Sequence, residues 1–109
     1  MISPHFFIPA TLLLATSCAP PVYKGGFDAP DSASKLYAIE RAVHAGDASK
    51  VPDIVAQLDS EDTIVRMVAI EALRRLTGET FDYQYEVARS ERNPAVERWV
   101  AYVKGDRDE

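Results

Sequence analysis

One cysteine and one tryptophan are all the 109 residues contain of either type, histidine occurs twice, and no lysine or arginine precedes Lys24. A lone thiol excludes an internal disulfide and any multi-thiolate metal centre. Long apolar runs are missing too. The longest, FFIPATLLLA at residues 6–15, is half of the roughly twenty residues that a membrane-spanning helix needs, and Pro4 and Pro9 count against a helix there. Basic charge is scarce: 12 Lys and Arg stand against 17 Asp and Glu, a net charge of -5. An acidic surface repels phosphate backbones, so nucleic acid is not an expected partner. Attraction to anionic lipid through a basic patch is disfavoured for the same reason. What is present is a chain 47% hydrophobic and 27% charged, a globular composition.

The cysteine takes its meaning from its position. The apolar run suits the h-region of a signal peptide. Small residues follow it in the order Ala15, Thr16, Ser17, then Cys18. That order resembles the lipobox of bacterial lipoproteins. The resemblance implies that Cys18 is diacylated and that the chain is cut just before it, making residues 1–17 a removable signal peptide. Each buried methylene contributes about 0.8 kcal/mol, so two or three acyl chains hold a protein on a leaflet essentially permanently. Ala19 rather than Asp follows the cysteine, which by the same resemblance is compatible with outer-membrane sorting. Residues 18–31 then read as a tether, because Pro20, Pro21 and Pro30 with Gly25 and Gly26 oppose regular structure. Tyr23 and Phe27 are the side chains that would instead tack this stretch onto the body.

From Ser32 onward the pattern is helical. Leu36, Ile39, Ala42 and Val43 fall on one face, with Gly46 as a stop. Val51, Ile54, Val55 and Leu58 form a second stripe, with Pro52 in the first turn, where a missing N–H costs nothing. Val65, Val68, Ala69, Ala72, Leu73 and Leu76 form a third; Asp59 or Ser60 would cap it and Gly78 would end it. A fourth helix is expected to open on Asn93 as cap and Pro94 as first helical residue, burying Val96, Trp99, Val100 and Val103 before Gly105. Residues 79–90, rich in Tyr and Phe, read as a packed loop. The domain is thus expected over 32–104, with a frayed tail at 105–109.

Ala38, Ile39 and Glu40 recur as Ala69, Ile70 and Glu71, 31 residues later. A fixed period of this size is how helix-hairpin solenoids show themselves in sequence. The acidic lead-in, Val65 and Arg66, and the Ala-Ile-x-Ala-Leu core resemble the second helix of a HEAT repeat, and the shorter helix before it resembles the first. More narrowly they are similar to the short bacterial HEAT-like units related to phycobilisome lyases. Leu76, Thr77 and Gly78, then Thr80, Phe81 and Tyr83, then Ala95, Val96, Arg98 and Trp99 resemble the closing segment of short bacterial HEAT-repeat proteins, with Asp82 where Gly is usual. The expected fold is therefore all-α, a short HEAT-like α-hairpin solenoid of about four helices, with the first and last acting as caps.

Each chemically capable side chain has a plainer use. His44 lies at the end of the first helix, where partial positive charge favours the helix dipole, and it has no second ligand for a metal. The HEAT resemblance implies that Arg66 forms a structural ion pair between helices, with Asp59, Glu61 and Asp62 as acidic partners. Trp99 and Tyr102 read as core. Tyr83 and Tyr85 are the residues with a use at a surface, since exposed aromatics are enriched at binding interfaces; the plainer alternative has Phe81 and Tyr83 covering the end of the third helix. Glu40 with Asp47, and Glu61 with Asp62, lie on polar faces without the enclosed setting that general acid–base work needs. Glu91, Arg92, Glu97 and Arg98 read as solvated.

The sequence therefore leads to a non-catalytic, lipid-anchored protein of the cell envelope, outer-membrane or periplasmic in exposure, that binds or scaffolds another envelope protein. It implies no cofactor, metal or small-molecule substrate. A structural accessory subunit of a larger envelope complex is the alternative. A lyase-like or chromophore-handling enzyme, borrowed from the family resemblance, lacks a visible nucleophile, metal site or acid–base pair.

Overall fold

The computed structural model describes residues 26–105, so Cys18, the apolar leader and the last four residues lie outside the described part. Four α-helices and two short 3₁₀ turns make up the regular structure, and no strand occurs among the described residues.

Helix α1 spans Ser32–Ala45. It begins because Asp31 is extended and its carboxylate accepts from the Ser34 N–H at 2.8 Å. It ends at Gly46, whose φ of 63° is the left-handed conformation that closes a helix. A 3₁₀ turn, Ala48–Lys50, leads into α2, Val51–Ala56, with Pro52 in its first turn, and a second 3₁₀ turn, Gln57–Asp59, extends it. All four residues of the expected second stripe, Val51, Ile54, Val55 and Leu58, are buried. Helix α3 spans Thr63–Thr77 and stops at Gly78. Its cap is Asp62, which accepts from the Ile64 N–H at 2.8 Å, not Asp59 or Ser60. The second 3₁₀ turn uses the chain as far as Asp59, which leaves Asp62 to do the capping.

Helix α4 spans Arg89–Val103 and starts five residues earlier than Asn93 as cap and Pro94 as first residue indicate. Its cap, Ala88, makes no side-chain hydrogen bond, and Pro94 sits inside the helix. The proline removes one i→i−4 bond, and the carbonyl it leaves belongs to exposed Ser90, where water can serve it. The buried face of α4 is Arg92, Ala95 and Trp99. Val100, expected inside, is 40% exposed.

Helix α3 packs against both α1 and α2, and α4 packs against α2. The Ser32 hydroxyl donates to the Asp62 carboxylate at 2.6 Å, tying the starts of α1 and α3 together. Further along, Ile39 and Val43 of α1 stand beside Met67, Val68 and Ala72 of α3, so the two helices run in the same sense, with α2 packed on α3. Their caps, Asp31 and Asp62, are 31 residues apart, and the buried pairs Ser34 with Val65 and Ala42 with Leu73 keep the same offset. One core unites Ile39, Ile54, Leu58, Leu73 and Trp99, all at 0–1% exposure, with Tyr83 and small residues between them.

Residues 26–31 carry more structure than a free tether. Phe27 packs on the core and Ala29 is buried. The Ala29 N–H closes a turn onto the Gly26 carbonyl at 3.1 Å. The buried Gln57 amide donates to the Phe27 carbonyl at 3.4 Å. The tacking role foreseen for Phe27 is what these residues display.

The α1–α3 tie has a pH signature. Hydrogen bonds from the Ser32 hydroxyl and the Ile64 N–H hold the Asp62 carboxyl below the usual carboxylate range. A depressed folded-state pKa contributes stability above the unfolded value of 3.8, and that stability is lost as pH falls through the folded value. The melting temperature should hold between neutrality and weak acid and fall as the pH drops below about 4. In Ser32→Ala the fall should be shallower, as read by circular dichroism melts across pH. An identical acid profile in the variant would show that the tie contributes nothing.

Candidate functional site

Parallel packing of α1 and α3 leaves a groove of about 440 Å³ between them. Its walls are Ile39 and Val43 from α1, and Met67, Val68, Ile70 and Ala72 from α3, with Tyr85 from the loop beyond. Glu40, Glu71 and Arg75 stand at the rim. Glu71 is engaged by Arg74 and Arg75, exposed pairs one helical turn away. Ile64 is 50% exposed and Met67 37%, so the apolar surface continues outward along α3. On the other flank of α1 lies a second crevice of about 440 Å³ with a charged lining of Asp28, Arg41, Asp47, Lys50 and Asp53. Asp47 is occupied there as the cap of the first 3₁₀ turn, accepting from both the amide and the hydroxyl of Ser49.

The residues singled out from the sequence divide between scaffold and groove. Arg66 is buried, at 7% exposure, and its ion pair with Asp59, Glu61 or Asp62 does not form within 4.0 Å. Its guanidinium donates instead to the carbonyls of Tyr85 at 2.9 Å and Ser60 at 2.8 Å, and to the Thr63 hydroxyl at 3.1 Å. The planar fork thus joins the start of α3 to the loop before α4. Asp59 and Glu61 face Arg89 across the surface, at 3.0 and 3.9 Å.

Tyr83 is buried rather than presented to a partner. Its hydroxyl donates to the Leu58 carbonyl at 2.6 Å, pinning the loop to the end of α2. Burial pushes the phenol pKa up, opposed by Arg92 and Arg66. Tyr85 is half-buried and lines the groove, so of the two tyrosines it alone reaches a surface with space beside it. His44 is exposed in the last turn of α1.

The loop ends in an aromatic cluster. Trp99 is fully buried, with Phe81 set edge-on at 4.8 Å and Tyr102 at 5.4 Å. The indole N–H donates to the Thr80 carbonyl at 3.1 Å. Phe81 and Asp82 both adopt left-handed backbone, φ 53° and 61°. The turn demands positive φ, which Asp tolerates better than most residues. Arg98 holds the turn by donating to the Phe81 carbonyl.

The chain matches no family model, no curated protein and no solved structure. The residues themselves must therefore carry the reading. Among the described residues no group of three His, Cys, Asp or Glu is placed to hold a metal ion, and no helix is long and apolar enough to cross a membrane. Two features were not legible in advance. Arg92, expected in solvent, is buried; it donates to the Val87 carbonyl at 2.6 Å and its Nε has no partner. The groove was hidden because Val43 and Val68 lie on stripes that read as core in sequence, whereas both are half covered and line the groove.

Proposed function

We propose that this protein is a non-catalytic, lipid-anchored helical-repeat module of the cell envelope that binds or scaffolds another envelope protein. The observation that carries this reading is the apolar groove between two parallel helices whose starts are 31 residues apart. In a HEAT-like solenoid equivalent helices of successive repeats lie side by side, and the ridged surface between them is where such arrays bind. Apolar walls with a charged rim supply desolvation at the centre and register at the edge.

The ends of the array support a self-contained module rather than an accessory subunit that needs neighbours to stack on. Away from the groove, α1 carries Arg41 and His44, and α4 carries Glu91, Glu97 and Arg98, all exposed. Polar end faces are what keep terminal repeats soluble. The anchor belongs to the sequence reading of Cys18, and Ala19 favours the outer membrane or its periplasmic face.

Intact mass from membrane fractions tests anchor and cleavage together. Wild type should lack residues 1–17 and carry a diacylglyceryl adduct on Cys18, and Cys18→Ser should lose the adduct and leave the membrane fraction. An unprocessed wild-type mass in the soluble fraction would remove the anchor from this account. Photocrosslinking from position 67 in the membrane-bound protein tests the groove. A specific envelope protein, abolished as a product by Ile64→Glu, is the expected capture.

A further inference from the structure

We infer that the α1–α3 groove is a binding site for an acyl chain carried on this protein's own Cys18, filled when the protein is off the membrane and emptied when the lipid enters a leaflet. The inference rests on the lipid-anchored reading above and adds a regulation to the groove assigned there.

Three observations lead to this occupant. The first is the chemistry of the walls. Ile39, Val43, Met67, Val68 and Ile70 present carbon, and charge is confined to the rim, where Arg74 and Arg75 already hold Glu71. The backbone groups of α1 and α3 beneath these side chains are used within their own helices. An extended peptide would bring N–H and C=O groups to a surface that cannot answer them, which disfavours it. An acyl chain brings none. Met67 adds an unbranched side chain that adapts to an irregular apolar guest.

The second is where the described chain starts. Gly26, Phe27 and Asp28 lie against Ala38, Arg41 and Ala42 on one flank of α1. The groove borders Ile39, Glu40 and Val43, on the opposite flank of α1 at the same turns. Seven residues lie between Cys18 and Gly26, so the eight Cα-to-Cα steps reach roughly 27 Å when extended. A helix is only about 10–12 Å across with its side chains. The tether is thus long enough to carry a lipid round α1.

The third is what the docked strap does. With Phe27 packed on the core and its carbonyl bound by Gln57, the start of the tether is fixed beside α1 rather than swinging from the end of Ser32. This raises the local concentration of anything attached just upstream. A bilayer competes for the acyl chain with far more apolar volume. Insertion therefore empties the groove and bares it for a protein partner, and a partner is bound only after anchoring.

The test uses the full chain. Cells are fed a diazirine-bearing fatty acid, and the acylated protein is purified and moved to detergent-free buffer. It is irradiated with and without phosphatidylethanolamine–phosphatidylglycerol vesicles. Without vesicles, crosslinks within one chain should map to the α1 and α3 peptides that carry Val43, Met67 and Val68. Vesicles should cut their yield about tenfold or more. Met67→Glu, at a side chain already 37% exposed, should lower the yield without vesicles while the circular dichroism spectrum is kept. Crosslinks confined to other surfaces, or formed only between chains, overturn the inference while Cys18 still carries its lipid. Absence of acyl mass on Cys18 overturns the anchored reading and this inference with it.

Discussion

Trp99→Ala should unfold most of the molecule at physiological temperature. The indole is at 0% exposure, sits edge-on to Phe81 and Tyr102, and satisfies the Thr80 carbonyl. Truncating a buried aromatic to alanine costs about 3–5 kcal/mol, and a core of this size supplies only about 3–5 kcal/mol in total. The loss is therefore of the order of the whole stability. In a thermal melt followed by far-UV circular dichroism, the midpoint should fall by about 15 °C or more, or the transition should vanish. Val100→Ala, one residue on but 40% exposed, should move it little. A Trp99→Ala protein melting within about 5 °C of wild type would show that the aromatic cluster is peripheral.

The second large effect is expected from Arg66→Met. Methionine keeps much of the stem's packing and removes all three donors. The carbonyls of Tyr85 and Ser60 then lose their shared partner. Hydrogen bonds to charged groups contribute about 1.5–3 kcal/mol each, with part of the loss recovered where water reaches the carbonyls. A destabilisation of about 3 kcal/mol is expected in urea titrations. Arg66→Lys should recover little, because a single ammonium cannot span carbonyls held in a planar fork. Asp59→Asn should be far milder, since Asp59 serves Arg89 at the surface. Equal losses in Arg66→Met and Asp59→Asn would restore the ion-pair account of Arg66.

These residues show which part of the structure was legible in sequence. Helices whose signals are local were read correctly: the second stripe is buried in full, and Gly46 and Gly78 stop their helices in left-handed backbone. Errors arose where a distant contact decides between equivalent local signals. Asp59 and Ser60 are the caps the sequence suggests, whereas Asp62 does the capping and is held by the Ser32 hydroxyl, thirty residues away. Asp59 and Glu61 look like partners for Arg66, but Arg89, brought up by α4, stands beside them. The start of α4 was masked in another way. Asn93 and Pro94 form a strong local opening signal, whereas the actual cap is an alanine without a side-chain hydrogen bond. The turn before the proline is held by Arg92 on the Val87 carbonyl, five residues back, and by Arg89 on Asp59, a tertiary contact thirty residues away. The α1–α3 groove was illegible for a related reason: Val43 and Val68 sit on apolar stripes, and a stripe does not record that a neighbouring helix covers them only in part.

The docked strap also decides how the body would answer a pull from upstream. Tension arriving at Gly26 meets Phe27, Ala29 and the Gln57 amide before it can reach the first turn of α1. Such a force therefore loads packed side chains and one hydrogen bond before it loads the helical turns. The short apolar strap thus stands between the upstream chain and the four helices as the first contact to be loaded.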